Sequence, residues 1–426
     1  MSSLLSTSLL KSLACLVHQP SLLAPTVLVG MLHWGLAENS LNQYYSAQYR
    51  PAMRCSDTLP SDTVTVVCRT LNPPPIFKEC LIGWLENKPL EVIISTTEEF
   101  EPLLQKIKQE IHAERPDFGS KIKIVVSVQG AREQLMTGVQ HAQGNIIATT
   151  DNHIMWPKTY LAYMLPCFDD PRVGAAGPPI AILIPKERQN ANEINMWEVA
   201  AMRMANRDAG AASSALALDV IAQWRWILPG TTCIYQAYIL KGKACRKGYL
   251  SDTWNGVKLD VGEDTWLSRF ILKQNLILAT QRCDEVVVHR TVKRTAAFHD
   301  QVLRWERSTI QSYIRTILEV PQMFKHPFIV FKTIERLLKT PLLIVHLIAW
   351  IVSLIYYPGP TLVLLAYYMY YKYKSVKTFI AAYPYMAKYW WVVVLLDFSG
   401  LYINAVASCT LSNNAWDQDE GGRDAN

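Results

Sequence analysis

The middle of the chain alternates between short apolar runs and segments whose apolar residues recur at helical spacing. Runs typical of buried strands lie at Val64–Cys68, Leu90–Ser95, Lys121–Val128 and Asn145–Thr150. Amphipathic segments that predict helices lie between them at Phe77–Glu86, Phe100–Ala113 and Gln134–Ala142. Strands and helices that alternate at this interval predict an α/β fold, a mostly parallel sheet flanked by helices. Ligands bind such sheets at the carboxyl ends of the strands.

Both ends of the chain are apolar without this alternation. Near the C-terminus, the segment Leu342–Tyr371 predicts either one long span broken near Pro358 or a hairpin of short tilted helices. The segment Tyr389–Leu411 is long enough to cross a bilayer, and its Asp397 should face protein or a polar path because a carboxylate is costly in lipid. At the N-terminus, Leu4–Leu36 fits a signal-anchor, a re-entrant segment or an amphipathic surface helix. These segments predict a lipid bilayer as a partner.

Composition agrees with a polar catalytic part that carries a few membrane segments. Half of the 426 residues are hydrophobic and 18% are charged, against about 25% charged residues in ordinary soluble domains. The net charge of +6 is too small to indicate a nucleic-acid partner. The nine cysteines include no C-x-x-C pair, which argues against a zinc site. No G-x-G-x-x-G follows the first strand and no Walker lysine is present, which excludes ordinary dinucleotide and P-loop sites.

Polar residues follow the first and fourth predicted strands. Arg69 comes directly after the first strand, so we expect it near a bound nucleotide, or simply in a solvated loop. Asp151 and His153 follow the fourth strand and fall on one side of it. Their oxygen and nitrogen could share Mn²⁺ or Mg²⁺, which would neutralise a diphosphate leaving group. A turn or a helix cap is the simpler explanation of an aspartate at this position.

Two further motifs carry candidate chemistry. Glu263 and Asp264 precede an amphipathic helix, where they either cap the helix or supply a general base, Asp264, for an acceptor hydroxyl. Gln301, Arg304 and Trp305 share one face of a later predicted helix. A guanidinium can bind a phosphate and an indole can stack on a sugar, although packing alone would also explain such a pair.

The order of these motifs, Asp-x-His, then Glu-Asp, then Gln-x-x-Arg-Trp ahead of membrane segments, resembles family 2 processive glycosyltransferases. This group contains the cellulose, chitin and hyaluronan synthases, and the chain is most similar to its shorter fungal polysaccharide synthase-like branch. The resemblance covers roughly Thr63 to Trp416. It implies a GT-A type catalytic domain and membrane helices at the C-terminus, with a further candidate at the N-terminus.

The resemblance also implies roles for the motif residues. Asp151 and His153 would bind the nucleotide diphosphate and the metal, and Asp264, beside Glu263, would be the catalytic base. Gln301 and Arg304 would hold the diphosphate, and Trp305 would hold the acceptor end. Arg69 joins the nucleotide-sugar site through its position after the first strand. Gly230–Cys233 occupies the place of the family's acceptor-binding stretch, which assigns Thr232 and Cys233 to the acceptor.

Two departures from the family pattern stand out. His153 replaces the usual carboxylate, and the run Ser95–Glu99 lacks the aspartate that usually follows the second strand and binds the nucleotide base. The expected function is therefore an inverting, membrane-bound polysaccharide synthase that uses a UDP-linked sugar and a glycan acceptor in cell-wall synthesis. The alternatives are a catalytically silent synthase-like subunit and a non-processive, glycolipid-forming transferase.

The expected organisation has seven parts and places the enzyme in the plasma membrane as a multi-pass protein. Lys372, Lys374 and Lys377 favour the cytoplasmic side for the residues around them, and the catalytic domain is expected there too. The oligomeric state stays open. The parts are a hydrophobic segment and candidate anchor at 1–50, the catalytic domain at 60–316, an interfacial helical segment at 317–340, a membrane segment at 341–373, a basic and aromatic connector at 374–388, a transmembrane helix at 389–411 and a polar tail at 412–426.

Overall fold

The structure is a computed structural model that describes residues 19–205 and 225–413. Residues 1–18 of the predicted N-terminal segment and residues 414–426 of the predicted polar tail lie outside the described residues. The sheets contain twelve strands: β1 Val64–Arg69, β2 Glu91–Thr96, β3 Ile122–Val126, β4 Ile146–Asp151, β5 Ile154–Met155, β6 Val173–Gly177, β7 Ile180–Ile182, β8 Thr232–Gln236, β9 Thr253–Trp254, β10 Val257–Lys258, β11 Ile277–Thr280 and β12 Val288–Arg290.

Sixteen helices are described, apart from short 3₁₀ turns. They are α1 Pro20–Ser46, α2 Phe77–Glu86, α3 Glu101–Glu114, α4 Pro116–Lys121, α5 Ala131–His141, α6 Tyr160–Met164, α7 at residues 196–205, α8 Ala237–Lys241, α9 Lys243–Leu250, α10 Glu263–Lys273, α11 Ala297–Glu319, α12 Pro327–Leu337, α13 Lys339–Tyr356, α14 Pro358–Ala382, α15 Trp390–Phe398 and α16 Gly400–Cys409.

A seven-stranded sheet in the order β11-β6-β8-β4-β1-β2-β3 forms the centre of the region predicted to be catalytic. All neighbouring strands are parallel except β8, which is antiparallel to β4 and β6. The predicted mostly parallel α/β sheet is therefore confirmed, and its first four strands lie where the apolar runs predicted them. A second sheet has the strand order β5-β12-β7, and its strand β5 follows β4 in the chain.

The central strands are apolar on both sides because helices cover both faces of the sheet. Val64 and Val66 of β1 pack in one hydrophobic cluster with Phe77 and Trp84 of α2. Val67, on the opposite face of the strand, belongs to a second cluster that includes residues of α5 and α10. This two-sided burial fixes the register of β1, so Arg69 and Asp151 are paired at the ends of β1 and β4.

The C-terminal region is helical, but its boundaries differ from the predicted ones. The apolar segment breaks at Tyr357 into α13 and α14, and α14 continues to Ala382 through most of the predicted connector. The predicted transmembrane helix at 389–411 consists of α15 and α16, which belong to a helix pair bent by 53°. The break follows Phe398, so these residues do not form one straight helix.

Among the described residues, one helix, Lys339–Tyr356, is long and apolar enough to cross a membrane, or two if the bent pair Pro384–Phe398 and Gly400–Cys409 counts as one span. The N-terminal helix α1 packs along α13. Trp34 of α1 lies edge-on to Phe331 of α12, with ring centroids 5.4 Å apart. The predicted anchor within residues 1–50 stays a prediction.

Asp397 of α15 faces protein, as its cost in lipid predicts. Arg203 of α7 donates to both Asp397 carboxylate oxygens at 2.9 Å. The side chains are 8% and 4% exposed. Lys372 Nζ lies 3.6 Å from the same carboxylate. This ion pair joins the catalytic region to the C-terminal helices.

Candidate active site

The carboxyl ends of β1, β2, β3 and β4 open into one cavity of about 1990 Å³. Typical pockets for one small molecule have volumes of about 300–1000 Å³, so this cavity has room for a donor and an acceptor together. Eight of the ten predicted site residues line it: Arg69, Asp151, His153, Glu263, Asp264, Gln301, Arg304 and Trp305. Residues 97–100 after β2 and 126–129 at the end of β3 line the same cavity.

The other two predicted residues do not reach the cavity. Thr232 and Cys233 belong to β8 and are fully buried. Thr232 Oγ1 donates to Thr149 O at 2.8 Å, and Cys233 Sγ donates to Pro229 O at 3.0 Å. Their side chains form part of the sheet beneath the cavity, so an acceptor can contact this stretch only at the preceding residues, Gly230 and Thr231, which line the cavity.

Glu263 and Asp264 begin α10, and Gly262 before them has a left-handed backbone with φ +72°. The Asp264 carboxylate accepts hydrogen bonds from Gly230 N at 3.0 Å and Thr265 N at 2.7 Å. Burial and the negative charge of Glu263 raise the pKa of Asp264 to about 7, although these two N–H groups oppose the rise. A carboxyl group that titrates near neutral pH is suited to general-base catalysis.

Arg69 determines the charge of Glu263. Its guanidinium donates to Ala131 O at 3.2 Å, forms an ion pair with Glu263, and lies 3.8 Å from Asp151 Oδ1. Burial opposes the ionisation of Glu263, but the charge and hydrogen bond of Arg69 prevail and lower the pKa of Glu263 to about 2. The adjacent carboxyl groups Glu263 and Asp264 therefore titrate at well-separated pH, a pattern that marks distinct roles.

His153 lies in the turn between β4 and β5 and is held by Asn152. Asn152 Nδ2 donates to Thr70 Oγ1 at 2.8 Å, which leaves Asn152 Oδ1 as the acceptor facing His153 Nδ1 at 3.1 Å. His153 Nδ1 then carries the proton and Nε2 keeps its lone pair. Burial and the nearby Arg290 and Lys293 lower the pKa of His153 to about 4, so the imidazole is neutral at physiological pH.

Asp151 and the neutral imidazole of His153 suit a divalent cation as an oxygen and a nitrogen ligand. No cluster of three or more His, Cys, Asp or Glu side chains that could hold a metal exists within residues 19–205 and 225–413. Burial raises the pKa of Asp151 to about 6, whereas the charge of Arg69 opposes the rise.

The sequence analysis missed Arg290, which lies at the end of β12 and lines the cavity. β12 is the middle strand of the small sheet, and its register places Arg290 opposite Ile154, the residue that follows His153. The Arg290 guanidinium lies over the Trp305 ring, 4.8 Å from its centroid. The apolar run Val286–Val288 followed by a basic residue was the available signal, but its pairing with β5 cannot be read from the sequence.

Comparisons with known proteins show which enzymes the chain is similar to. No family model matches the chain. NDP-glycosyltransferase ltbB of Aspergillus luteorubrus is 25% identical over 394 residues, which cover 90% of this chain and 95% of that protein. A type 2 glycosyltransferase of Zymoseptoria tritici is 25% identical over 235 residues. These residues cover 55% of this chain and 46% of that protein.

Among solved structures, mannosyltransferase PcManGT from Pyrobaculum calidifontis, in complex with GDP-Man and Mn²⁺, has a similar fold. Its TM-score is 0.56 at 18% identity, and the alignment covers 89% of this chain and 99% of that one. The chain therefore shares the fold of a GT-A type glycosyltransferase. Its similarity to curated proteins named NDP-glycosyltransferase and type 2 glycosyltransferase supports glycosyltransferase activity and a likeness to family 2.

Proposed function

We propose that the chain is a membrane-bound, inverting hexosyltransferase that transfers a sugar from a nucleoside diphosphate donor, UDP-linked in the simplest case, to a growing glycan. The observation that carries the proposal is the position of Asp264. Its carboxylate lines the cavity, is held by two backbone N–H groups, and has a pKa raised to about 7. A base in this state can accept a proton from an acceptor hydroxyl at neutral pH.

The proposed reaction is a single displacement. Asp264 removes the proton of the acceptor hydroxyl as that oxygen bonds to the anomeric carbon, and the bond from that carbon to the diphosphate oxygen breaks. The electron pair of the broken bond leaves with the nucleoside diphosphate. Glu263 is committed to its ion pair with Arg69, which disfavours it as a covalent nucleophile. One displacement without a glycosyl-enzyme intermediate inverts the anomeric centre.

Side chains of α11 in the cavity lining can offset the negative charge on the departing diphosphate. Arg304 and Gln301 of α11 line the cavity, and the positive charge of Arg304 acts on both Asp151 and Glu263. Preorganised donors of this kind stabilise charge that develops in the transition state. A divalent ion held by Asp151 and His153 would offset the same charge when bound. PcManGT, which has a similar fold, was solved with Mn²⁺, and this supports a divalent ion as the cofactor.

The C-terminal helices support the proposed attachment to a bilayer. Large apolar side chains of α13 and α14 are exposed, including Ile351 at 51%, Ile355 at 69% and Val363 at 72%. An apolar surface of this extent needs a lipid or protein cover. Lys372 and Lys374 follow it along α14, in keeping with a cytoplasmic catalytic region in the plasma membrane.

Transfer of a single sugar is the second candidate function. The NDP-glycosyltransferase of Aspergillus luteorubrus matches over nearly its whole length, and one straight helix within the described residues meets the criteria for a span. A polymer channel would need several such helices. The two backbone N–H groups that hold the Asp264 carboxylate in the cavity disfavour the alternative of a catalytically silent subunit.

The experiment uses the full chain in lipid nanodiscs with UDP-glucose, UDP-N-acetylglucosamine and GDP-mannose, each with Mn²⁺ or Mg²⁺. Released nucleoside diphosphate measures turnover, product length separates a polymer from a single addition, and proton NMR of the first product reports the anomer. We expect turnover with one donor and inversion from the α-linked donor. Retention would overturn the single displacement, and absence of turnover with every donor would overturn the proposed function. Asp264→Asn is the matched inactive control.

A further inference from the structure

Trp305 of the Gln-x-x-Arg-Trp motif lines the cavity but is partly buried. The indole packs against the hydrophobic cluster that includes Ile182, Phe298 and Val302. The Arg290 guanidinium lies over the ring at 4.8 Å from its centroid. At this distance a planar guanidinium is attracted to the indole and occupies the ring face that a sugar would need.

Arg290 lies at the end of β12 and lines the cavity. Its backbone is paired with Ile154 on β5 and with Ile182 on β7, so both neighbouring strands fix its position. Arg290, Asp151 and His153 line the same cavity, and Ile154, which pairs with Arg290, directly follows His153 in the chain. Arg290 of β12 and Arg304 of α11 therefore line this cavity from two separate elements.

We propose that Arg290 binds the diphosphate of the donor and that Trp305 is a positioning residue that holds Arg290 in place, instead of a stacking surface for the acceptor sugar. The proposal rests on the proposed use of a nucleoside diphosphate donor. A guanidinium fixed on a ring face keeps its planar donors directed at phosphate oxygens and loses less freedom when it binds them. The motif tryptophan then belongs to the donor site.

The test is a double-mutant cycle on binding of UDP and GDP to the full chain in nanodiscs, measured by calorimetry. We expect Arg290→Ala to weaken binding of the nucleotide that the wild type prefers by about 10–30-fold, and Trp305→Ala by about 5–10-fold. The double variant should bind within about twofold of Arg290→Ala, because the tryptophan acts through the arginine. Trp305→Phe, which keeps an aromatic face, should retain affinity within about threefold.

Kinetics separate this role from acceptor binding. For Trp305→Ala we expect the donor KM to rise and the acceptor KM to change less than about twofold. The matched control is Arg336→Ala, which removes another guanidinium that lies over an indole, 4.5 Å from the ring centroid of Trp226, outside the cavity lining. It should leave nucleotide affinity unchanged.

A rise in acceptor KM with unchanged nucleotide affinity in Trp305→Ala would overturn the proposal, as would additive effects of the two substitutions. Failure of the wild type to bind either nucleotide would overturn both this proposal and the proposed function. Nucleotide binding without turnover of any donor would count against the proposed function alone, since the binding cycle would still report on Arg290 and Trp305.

Discussion

The carboxylate of Asp264 accepts a hydrogen bond from the backbone N–H of Gly230 at 3.0 Å, across the gap between α10 and the residues that lead into β8. A Cβ atom at position 230 would lie 3.1 Å from Asp264 Cβ and 3.2 Å from Oδ2. The carboxylate can occupy its position because residue 230 is a glycine. The candidate base is therefore positioned by a residue 34 places earlier in the chain.

Gly230→Ala should displace Asp264 by a few tenths of an ångström and lower kcat by about 10–100-fold, because misplaced reacting groups lose much of their rate advantage. Nucleotide affinity should change little. Steady-state kinetics and calorimetry check both expectations. Gly83→Ala is the control, since its new Cβ would meet only Trp156 O at 3.4 Å, an ordinary contact. A Gly230→Ala enzyme with wild-type kcat would contradict the role of this contact.

The rate should depend on pH through Asp264. Because burial and Glu263 raise the pKa of Asp264 to about 7, kcat/KM should increase with pH and level off above about pH 7. Glu263→Gln removes the neighbouring negative charge, so the inflection should move to lower pH. Asp264→Asn should lower kcat by about 10²–10⁴-fold and remove the inflection. An unchanged inflection in Glu263→Gln would contradict this coupling.

Asp264 should lower the stability of the wild type at alkaline pH. Its pKa is about 7 in the folded chain and about 3.9 when unfolded, so folding becomes less favourable as pH rises from about 4 to 7. Asp264→Asn should raise the free energy of unfolding at pH 8 by about 1–3 kcal/mol, and the gain should shrink toward pH 4. Thermal unfolding in detergent at a series of pH values measures this difference in the free energy of unfolding. Equal stability of the wild type and Asp264→Asn at pH 8 would contradict a destabilising Asp264 carboxylate.

His153 should be needed for metal affinity. His153→Ala should weaken Mn²⁺ binding in the presence of UDP by about 10–100-fold, because one of two protein ligands is lost. His153→Asp restores the carboxylate of the family pattern and should bind within about tenfold of the wild type. Calorimetric Mn²⁺ titration is the measurement. His289→Ala, an exposed histidine of β12 outside the cavity lining, is the control. Unchanged Mn²⁺ affinity in His153→Ala would show that His153 is not a metal ligand.

The Arg203–Asp397 pair should be important for stability. Asp397→Asn leaves Arg203 and Lys372 without their shared carboxylate in a buried place, and breaking a buried pair costs about 3–5 kcal/mol. Glu114→Gln, which removes an ion pair with Lys78 at a glutamate 59% exposed, should cost under about 1 kcal/mol. Denaturation in one detergent compares the two variants. Equal losses would show that burial does not strengthen the Arg203 pair.

Much of the α/β framework could be predicted from local pattern. The helix Phe77–Glu86 has the predicted bounds, and β1, β2 and β4 lie within about one residue of the predicted strands, because two-sided burial demands continuous apolar runs. The eight later strands, β5 to β12, were not predicted. They are two to five residues long, and most of them pair with strands distant in sequence. The helix break at Tyr357 agrees with the predicted break near Pro358, because a proline disfavours helical backbone in the residue before it. The break after Phe398 was not predicted.

The sequence by itself determined the order of the chemical groups: a carboxylate and an imidazole after β4, two carboxylates before α10, and a Gln-x-x-Arg-Trp face on α11. Spacing within one strand or helix is set by its own geometry, so these local sets could be predicted. Only the tertiary structure decided what each group meets. Arg69 faces Glu263, Asp264 faces Gly230, and Arg290 covers Trp305. Such contacts join residues far apart in sequence, and their distances follow from how sheets and helices pack, which local residue patterns do not specify.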